Sequence, residues 1–234
     1  MRSLAIMQPY FFPYLGYWQL ISAVDKFVIY DDVNYIKSGW INRNRILVNA
    51  EPTYITVPLE RASPYKTIAE TNVDGSGRWR GKLAKMVALS YGRAPFFSEV
   101  FPSIENLIRH ETPSLSAYLA HQISTLAGLL DIDTEFALSS ASYDNRHLSG
   151  QDRVLDICET EEAGTYVNAI GGKAIYDPAA FARRGIDLRF ISTSSFDYSQ
   201  AAPKFVPHLS IIDLLMQVGF TGAKQHLQSY ELIE

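Results

Sequence analysis

Residues 6–32 read IMQPYFFPYLGYWQLISAVDKFVIYDD. Two short apolar runs, 3–7 and 26–33, are typical of buried strands, and residues 16–24 between them carry apolar side chains at helical spacing. A strand, a helix and a strand joined by connections this short predict a right-handed crossover in a parallel sheet. This stretch therefore indicates an α/β fold.

The rest of the chain extends this pattern. Residues 37–49 and 53–59 suggest a hairpin or a further strand, and residues 80–131 are helical in period. Further downstream, strands are expected at 133–142, 165–170 and 186–192, and helices at 150–163, 177–185 and 210–219. We therefore expect one α/β domain over residues 1–234, with a Rossmann-like parallel sheet, helices on both of its faces and a helical insertion over 80–131.

Composition argues against several classes of protein. A net charge of −4 provides no overall basic field for nucleic acid or acidic membranes. The single cysteine, Cys158, rules out an internal disulfide, and its apolar neighbours favour a buried structural thiol over a nucleophile. No zinc-like spacing, signal peptide or long apolar run is present in the sequence. We expect a cytoplasmic protein with no metal, no nucleic-acid partner and no membrane span; the oligomeric state is not set by the sequence.

The connection after the first strand is aromatic, where such turns are usually polar. Tyr and Trp rings offer flat faces for a base or sugar and polar tips for hydrogen bonds, and the following helix N-terminus offers free N–H groups. Ligands of open parallel sheets bind beyond the carboxyl ends of the strands. The residues expected to contact a ligand here are Gln8, Tyr10, Tyr14, Gly16 and Tyr17. The alternative, an aromatic plug that seals the sheet, is preferred for Phe11, Phe12 and Trp18.

The next segment, residues 31–45, mixes acids with bases in DDVNYIKSGWINRNR. Arg43 and Arg45 share one face of an extended segment, and such a face can hold a phosphate bidentately. The polar residues expected to bind substrate here are Lys37, Asn42, Arg43 and Asn44. The alternative is a solvated strand whose charges pair with the acids at the start of the segment.

Three residues are candidates for proton transfer. Asp31 and Asp32 follow the second strand and can act as a general base or hold a hydrated Mg²⁺, although adjacent acids are also common at strand ends. His208 precedes the last helix and can be an acid or base, or simply a surface or packing residue.

A glycine-rich turn follows the predicted strand at 165–170. Gly171 and Gly172, with Lys173 after them, can cradle an oxyanion with their N–H groups. The alternative is a tight turn with a solvated lysine. We include both glycines among the candidate substrate-binding residues.

Several stretches together resemble one known family, the WbqC-like family. They are residues 6–46, YVNAIGG (166–172), F-x-x-x-GIDLRFI (181–191) and YSQ-x-x-x-x-FVPHLSIIDLLMQVG (198–219). That family is associated with the biosynthesis of bacterial O-antigen, the polysaccharide of lipopolysaccharide, and of related surface glycans. The resemblance implies a small-molecule substrate, either a nucleotide-linked sugar or an activated acyl donor.

A more distant resemblance is to the nucleotidyltransferases of the HIGH superfamily, and it implies a HUP-type sheet. PYLGY (13–17) stands where those enzymes carry H-x-G-H, so that Tyr14 and Tyr17 replace the two histidines and Gly16 matches the glycine. Tyrosine cannot supply the cation that stabilises a transferring phosphate. The motif therefore implies a nucleotide-shaped pocket with different chemistry.

The last predicted helix extends this second resemblance. HLSIIDLLMQVG (208–219) is similar to the helix start that closes the phosphate site of those enzymes, with Ser210 matching one of their serines. Ser210 is therefore both the predicted N-cap of this helix and a candidate substrate-binding residue. The usual arginine after the serine is missing, and Asp213 lies nearby instead.

The resemblances and the residues together favour an enzyme. We expect a transferase that acts on a nucleotide-linked amino sugar and places an acyl or aminoacyl group on its amine, with Asp31, Asp32 or His208 as the base and Tyr14, Tyr17 or main-chain N–H groups as oxyanion donors. The alternatives are a nucleotide-binding protein without turnover and an interaction scaffold with an aromatic partner surface. No cofactor is certain; a nucleotide or an activated acyl donor is the candidate.

Overall fold

The structure, a computed structural model, describes residues 2–193 and 197–234. Its strands are β1 (Arg2–Met7), β2 (Lys26–Ile29), β3 (Arg43–Val48), β4 (Glu51–Thr56), β5 (Leu59–Glu60), β6 (Asn72–Val73), β7 (Glu135–Ala137), β8 (Ala163–Ala169), β9 (Asp187–Thr193) and β10 (Tyr230–Ile233). Its α-helices are α1 (Leu15–Ser22), α2 (Arg78–Tyr91), α3 (Phe97–Arg109), α4 (Leu115–Leu129), α5 (Gly150–Thr160), α6 (Pro178–Arg183) and α7 (Ile211–His226).

The central sheet has the strand order β10-β9-β8-β1-β2-β7. Neighbouring strands are parallel except for the antiparallel pair β9–β10. From β1 the chain builds outward through β2 and β7, and then crosses to the other side of β1 to add β8 and β9. The strand order therefore reverses between β1 and β8, as in a Rossmann-like fold, and such a reversal point is where open parallel sheets bind ligands.

Alternating side chains along the strands form a core on each face of the sheet. On one face, Ala5 and Phe27 pack in a core shared with α1, α4 and α7. On the other face, Leu4 and Val28 pack in a core shared with α5 and α6. The predicted parallel sheet with helices on both faces is therefore confirmed, and the two-residue period of the strands is its cause.

The single cysteine lies in the second of these cores. Cys158 on α5 is fully buried, and this burial raises the pKa of its thiol to about 12. A thiol that stays protonated is a poor nucleophile, so the prediction of a buried structural thiol is confirmed. Across residues 2–193 and 197–234, no helix is both long and apolar enough to cross a membrane.

The predicted hairpin is present as β3 and β4, but several elements differ from the sequence expectation, including the short strands β5 and β6, which were not predicted. The strand predicted at 133–142 is only β7, because residues 140–143 turn into a 3-10 helix. The last helix continues past Gly219, which breaks the helical path with φ +71° and ψ 177° without ending the element. The final strand β10 was not predicted, because its YELI sequence has no clear alternation of apolar and polar residues.

Candidate functional site

The connection between β1 and α1 is held by side chains from three distant elements. Phe12 has a left-handed backbone, with φ +40°, which is rare for an aromatic residue. Its carbonyl accepts hydrogen bonds from Asn44 Nδ2 on β3 and from Ser210 Oγ, each at 2.8 Å, and its N–H donates to Gln122 Oε1 on α4 at 2.7 Å. Strained residues persist where surrounding contacts over-determine them, and they concentrate at functional sites.

Part of this connection is an aromatic plug. Phe11, Phe12 and Trp18 are fully buried, and Trp18 Nε1 donates to the Pro13 carbonyl at 3.0 Å. Tyr17 joins them, since its ring is buried and its hydroxyl donates to the Gln8 carbonyl at 2.9 Å. Burial also raises the pKa of Tyr17 well above its usual value. The structure thus places Tyr17 and the Gln8 main chain inside the plug.

Two cavities lie beside the plug. The larger cavity, of about 360 Å³, is bounded by the start of α1, the end of β9, the segment 197–209 and the start of α7. The smaller cavity, of about 310 Å³, is lined by Tyr10, Pro13, Tyr14, Trp40, Asn44, Arg45 and His208. Tyr14 and His208 line both cavities, so the two spaces adjoin at this pair.

The pair Tyr14 and His208 forms the wall between the cavities. The two rings meet edge to face, with centroids 5.5 Å apart and planes at 89°. His208 is exposed and has a left-handed backbone, with φ +57°. Tyr14 is half-buried, and desolvation raises the pKa of its hydroxyl. A histidine thus lies beside the first of the two tyrosines of the PYLGY motif, although it comes from the other end of the chain.

Gly16 lies directly beneath the Tyr14 ring. A Cβ atom on Gly16 would lie 2.5 Å from Cε2 of Tyr14, which is far inside van der Waals contact. The space over this glycine is therefore filled by the Tyr14 ring, and the missing side chain lets that ring fold back over the start of α1. Gly16 shapes the wall between the cavities and also lines the larger cavity.

The start of α7 is docked onto the plug. Ser210 is fully buried; its Oγ accepts from Ile212 N at 3.3 Å, which confirms the predicted N-cap. The same hydroxyl donates to Phe12, and Ile211 N donates to the Pro13 carbonyl at 3.1 Å. Two donors at this helix start are thus used by main-chain carbonyls. Ser210 acts on the site indirectly, because it fixes the position of the Phe12 main chain.

The two cavities differ in charge. Arg45 lines the smaller cavity, and its Nε is buried without a hydrogen-bond partner among residues 2–193 and 197–234. Asp197 lines the larger cavity. Behind that cavity, the fully buried carboxylate of Asp213 accepts hydrogen bonds from Tyr198 and Tyr91, both at 2.7 Å. Desolvation raises the pKa of Asp213.

The two adjacent acids of the predicted site lie elsewhere. Asp31 and Asp32 are 2% and 5% exposed. Asp31 accepts from Ser116 Oγ, from Ser139 Oγ at 2.7 Å and from Ser140 N at 3.1 Å. Neither aspartate lines either of the two cavities in the part of the chain that the structure describes.

Asp32 extends this buried network through an ion pair with Arg153. Its carboxylate lies 2.5 Å from Nη2 of Arg153 on α5, which is itself 4% exposed, and it also accepts from Ser140 Oγ. Buried carboxylates are tolerated where they are paired and hydrogen-bonded in this way. The network joins the end of β2 to the segment after β7 and to α5.

Two more polar candidates hold the hairpin together. Asn42 Nδ2 donates to the Val57 carbonyl, and Asn42 Oδ1 accepts from Tyr35, both at 2.8 Å. Arg43 Nε donates to the Gly39 carbonyl at 3.1 Å, and the guanidinium lies 4.4 Å from the centroid of the Tyr54 ring. Both side chains are therefore occupied by contacts within the hairpin region.

Lys37 is exposed, and it is not among the residues that line the two cavities in the described chain. The glycine-rich turn is a 3-10 helix over Ile170–Ala174. Lys173 Nζ lies 5.8 Å from the ring centroid of Phe190, a residue of the core shared with α5 and α6. This lysine thus packs toward the face of the sheet opposite the core that contains the plug. Gly171 and Gly172 line neither cavity within the described residues.

Sequence reasoning missed several residues of the cavity walls. Trp40 stands 39% exposed in the smaller cavity, and the larger cavity contains Tyr198 and Phe205. The available signal was the pairing of an unusual aromatic turn with the distant segment YSQ-x-x-x-x-FVPH, but a single sequence does not show that the two meet in space.

Comparisons with known proteins give two matches. The profile of the WbqC-like protein family matches residues 8–225. Rv1507c of Mycobacterium tuberculosis (strain ATCC 25618 / H37Rv), an uncharacterised protein, is 30% identical over 223 residues, which cover 94% of this chain and 95% of that protein. No solved structure matches the chain.

Proposed function

This chain belongs to the WbqC-like protein family, and from that premise we propose that it is a transferase. Its substrate is a nucleotide-linked amino sugar of bacterial surface-polysaccharide biosynthesis. The group transferred is an acyl or aminoacyl group, which an activated donor delivers to the sugar amine.

The observation that carries this proposal is the pair of cavities that adjoin at Tyr14 and His208. A group transfer between two small molecules needs two binding spaces that meet at a residue able to handle a proton. The larger cavity has apolar walls that include Leu15, Phe205 and Leu214, which suit an acyl donor. The smaller cavity then receives the sugar nucleotide.

His208 is the proposed acid and base of the reaction. The sugar amine attacks the carbonyl carbon of the donor, so that a C–N bond forms and the bond from this carbon to the leaving group breaks. Imidazole accepts the amine proton and returns it to the leaving group, which balances the reaction without an oxidant or reductant. The Tyr14 hydroxyl, with its raised pKa, stays protonated and can donate to the developing oxyanion.

Asp31 and Asp32, considered as bases from the sequence, receive a structural role in this proposal. Their oxygens are already engaged by serine hydroxyls, a main-chain N–H group and Arg153. Both carboxylates are buried, and neither lines either cavity among the described residues.

A second candidate is a nucleotide-binding protein without turnover. It is favoured by the smaller cavity, where the buried Nε of Arg45 has no hydrogen-bond partner among the described residues. At the start of α7, by contrast, Ser210 Oγ and Ile211 N already donate to carbonyls of the β1–α1 connection. In the HIGH superfamily, the corresponding helix start closes a phosphate site. The same observation argues against nucleotidyl transfer by this chain.

The test is an assay of transfer with a matched pair of histidine variants. The protein is incubated with a nucleotide-linked amino sugar and a panel of activated acyl donors, and the sugar nucleotide is examined by mass spectrometry. We expect a mass increase by the acyl group with the wild type. We expect a loss of about 10²–10⁴-fold in rate with His208→Gln, the usual contribution of a general acid–base group.

The control is His147→Gln, because His147 is also exposed but lines neither cavity within the described chain. This variant should keep the wild-type rate. Sugar nucleotide binding without a mass increase for any donor would reject the transferase in favour of the binding protein. Equal rates for both variants would reject His208 as the acid–base group.

A further inference from the structure

We propose that the smaller cavity is a phosphoryl-binding subsite in which Arg45 holds the diphosphate of a nucleotide and Trp40 stacks on its base. This inference deepens the proposed function. It rests on the proposed function only in assuming that the bound nucleotide carries a sugar. Binding of the nucleoside diphosphate is a separate property that can be measured without turnover.

The first argument is the state of the Arg45 side chain. Its main chain is fixed on β3, because Arg45 N donates to Asn44 Oδ1 and Ser210 N donates to the Arg45 carbonyl, both at 2.8 Å. Among the described residues, the only hydrogen bond of the guanidinium is a long one, 3.5 Å from Nη2 to the Pro207 carbonyl, and the buried Nε has no hydrogen-bond partner. A buried donor left unsatisfied is costly, and an anion in the cavity would satisfy it.

Two other arginines of the chain show a different state. Arg153 is paired with Asp32, and Arg43 is engaged by main-chain carbonyls and by the face of Tyr54. Arg45 instead faces a cavity whose walls, among the described residues, contain no carboxylate. A cation without a compensating acid attracts an anionic ligand.

The second argument concerns the ring beside Arg45. Trp40 is 39% exposed, and its ring centroid lies 5.7 Å from Cζ of Arg45. The ring centroid of Tyr54 lies 6.3 Å from that of Trp40. An exposed indole next to an arginine is an arrangement that stacks on bases while the guanidinium holds phosphate.

These features select a nucleotide over a simple carboxylate. The planar fork of arginine matches carboxylate and phosphate oxygens equally well, so the charge alone does not discriminate between them. The adjacent indole favours a ligand that carries a flat ring near its anionic group. A nucleoside diphosphate has both parts, and a sugar linked to its terminal phosphate would extend toward His208.

The test is calorimetric titration of the full chain with uridine diphosphate, and with uridine and inorganic pyrophosphate as separate parts. We expect uridine diphosphate to bind more tightly than either part. Arg45→Gln should weaken its binding about tenfold or more, because a charge-assisted contact is lost, and Arg45→Lys should fall between the two. The control is Arg184→Gln, because the Arg184 side chain is 45% exposed and lines neither cavity among the described residues; this variant should bind like the wild type.

Tryptophan fluorescence gives an independent measure. Trp18 is fully buried and Trp79 is 8% exposed, so quenching by a stacked base should come from Trp40 and vanish in Trp40→Phe. Thermal unfolding of each variant without ligand shows whether it is folded. The proposal is overturned if uridine diphosphate does not bind the wild type, or if folded Arg45→Gln binds it as well as Arg184→Gln does.

The outcomes also separate this inference from the proposed function. Arg45-dependent binding of uridine diphosphate without any acyl transfer would leave the subsite standing and reject the transferase. Full acyl transfer by Arg45→Gln at unchanged KM would support the transferase and reject the phosphoryl-binding subsite.

Discussion

Two groups of polar side chains lie around the connections that follow the neighbouring parallel strands β2 and β1. They differ in how many of their polar atoms have a hydrogen-bond or ion-pair partner. After β2, Asp31 and Asp32 are buried, and Asp32 is paired with Arg153. Around the connection after β1, Tyr14 and His208 border two cavities, and Arg45 of β3 has a donor without a partner in the described chain. The first group is a closed network, whereas the second is open to a ligand.

This difference distinguishes polar residues that stabilise the fold from polar residues that bind a ligand at the carboxyl end of a sheet. In a closed network, the buried polar groups are already hydrogen-bonded or paired with one another, so the loss of one partner should reduce folding stability. In an open group, some donors and acceptors are free to bind a ligand. Replacement of such a residue should therefore reduce ligand binding more than folding stability. The predictions below test this distinction.

The largest effect on stability should come from Arg153→Met. This change leaves the carboxylate of Asp32 buried without its cation, and such losses cost about 3–5 kcal/mol. Urea denaturation measures the change in the free energy of unfolding. The control is Arg184→Met, because Arg184 and its partner Glu159 have side chains 45% and 46% exposed, and surface pairs contribute about 0–1 kcal/mol. Similar losses for the two variants would contradict the account of a closed network.

The contrast between the two groups also explains which parts of the fold and of the site could be predicted from the sequence. The sheet and its two helix layers were predictable, because the apolar runs at 3–7 and 26–33 and the helical spacing between them are local signals. The aromatic plug was predictable in part for the same reason, since Phe11 and Phe12 have no polar side-chain group and Trp18 has only one N–H on a large apolar ring.

The closed and open groups were not predictable, because their partners are distant in sequence. Arg153 and Ser140 reach Asp32 only after the chain has passed through the hairpin, α2–α4 and β7. Likewise, His208 meets Tyr14 only because α7 docks its start on the β1–α1 connection. Residue types in a sequence therefore indicated candidate chemistry, and the packing of remote elements determined which candidates border a cavity.

An intermediate effect is expected from Asn44→Ala. The change removes the amide that donates to the carbonyls of Phe11 and Phe12, and unsatisfied buried groups cost about 1–3 kcal/mol each. Because this amide also holds the strained Phe12, the cavities should lose their shape, and binding of uridine diphosphate should fall by about tenfold or more.

The matched control for this variant is Asn42→Ala. Asn42 is a buried amide of the same hairpin region with two hydrogen bonds, but it contacts Val57 and Tyr35 and not the plug. Urea denaturation should show a similar loss of stability, whereas calorimetry should show nearly unchanged binding. If both variants lose binding equally, Asn44 has no special role at the site.

The smallest effect concerns the pH dependence of stability through Asp213. Burial raises the pKa of this carboxyl above its usual 3.8, so the folded state binds more protons than the unfolded state in the range above 3.8. Stability contributed by Asp213 should therefore fall as pH rises through the folded pKa. Asp213→Asn removes this titration but retains an amide of similar shape.

Urea denaturation of the wild type and Asp213→Asn across this range isolates the effect. The wild type should lose stability relative to the variant as the pH rises, and the difference should then level off. A difference that does not change with pH would show that Asp213 does not titrate differently in the folded and unfolded states.

The central claim is that two substrates meet at the wall formed by Tyr14 and His208, and a structure with a uridine-diphosphate-linked amino sugar tests it most directly. The account predicts density for the diphosphate at Arg45 and for the sugar amine within about 3 Å of the His208 imidazole, the distance that proton transfer requires. Density for this ligand elsewhere, such as at the turn Ile170–Ala174, would contradict the account.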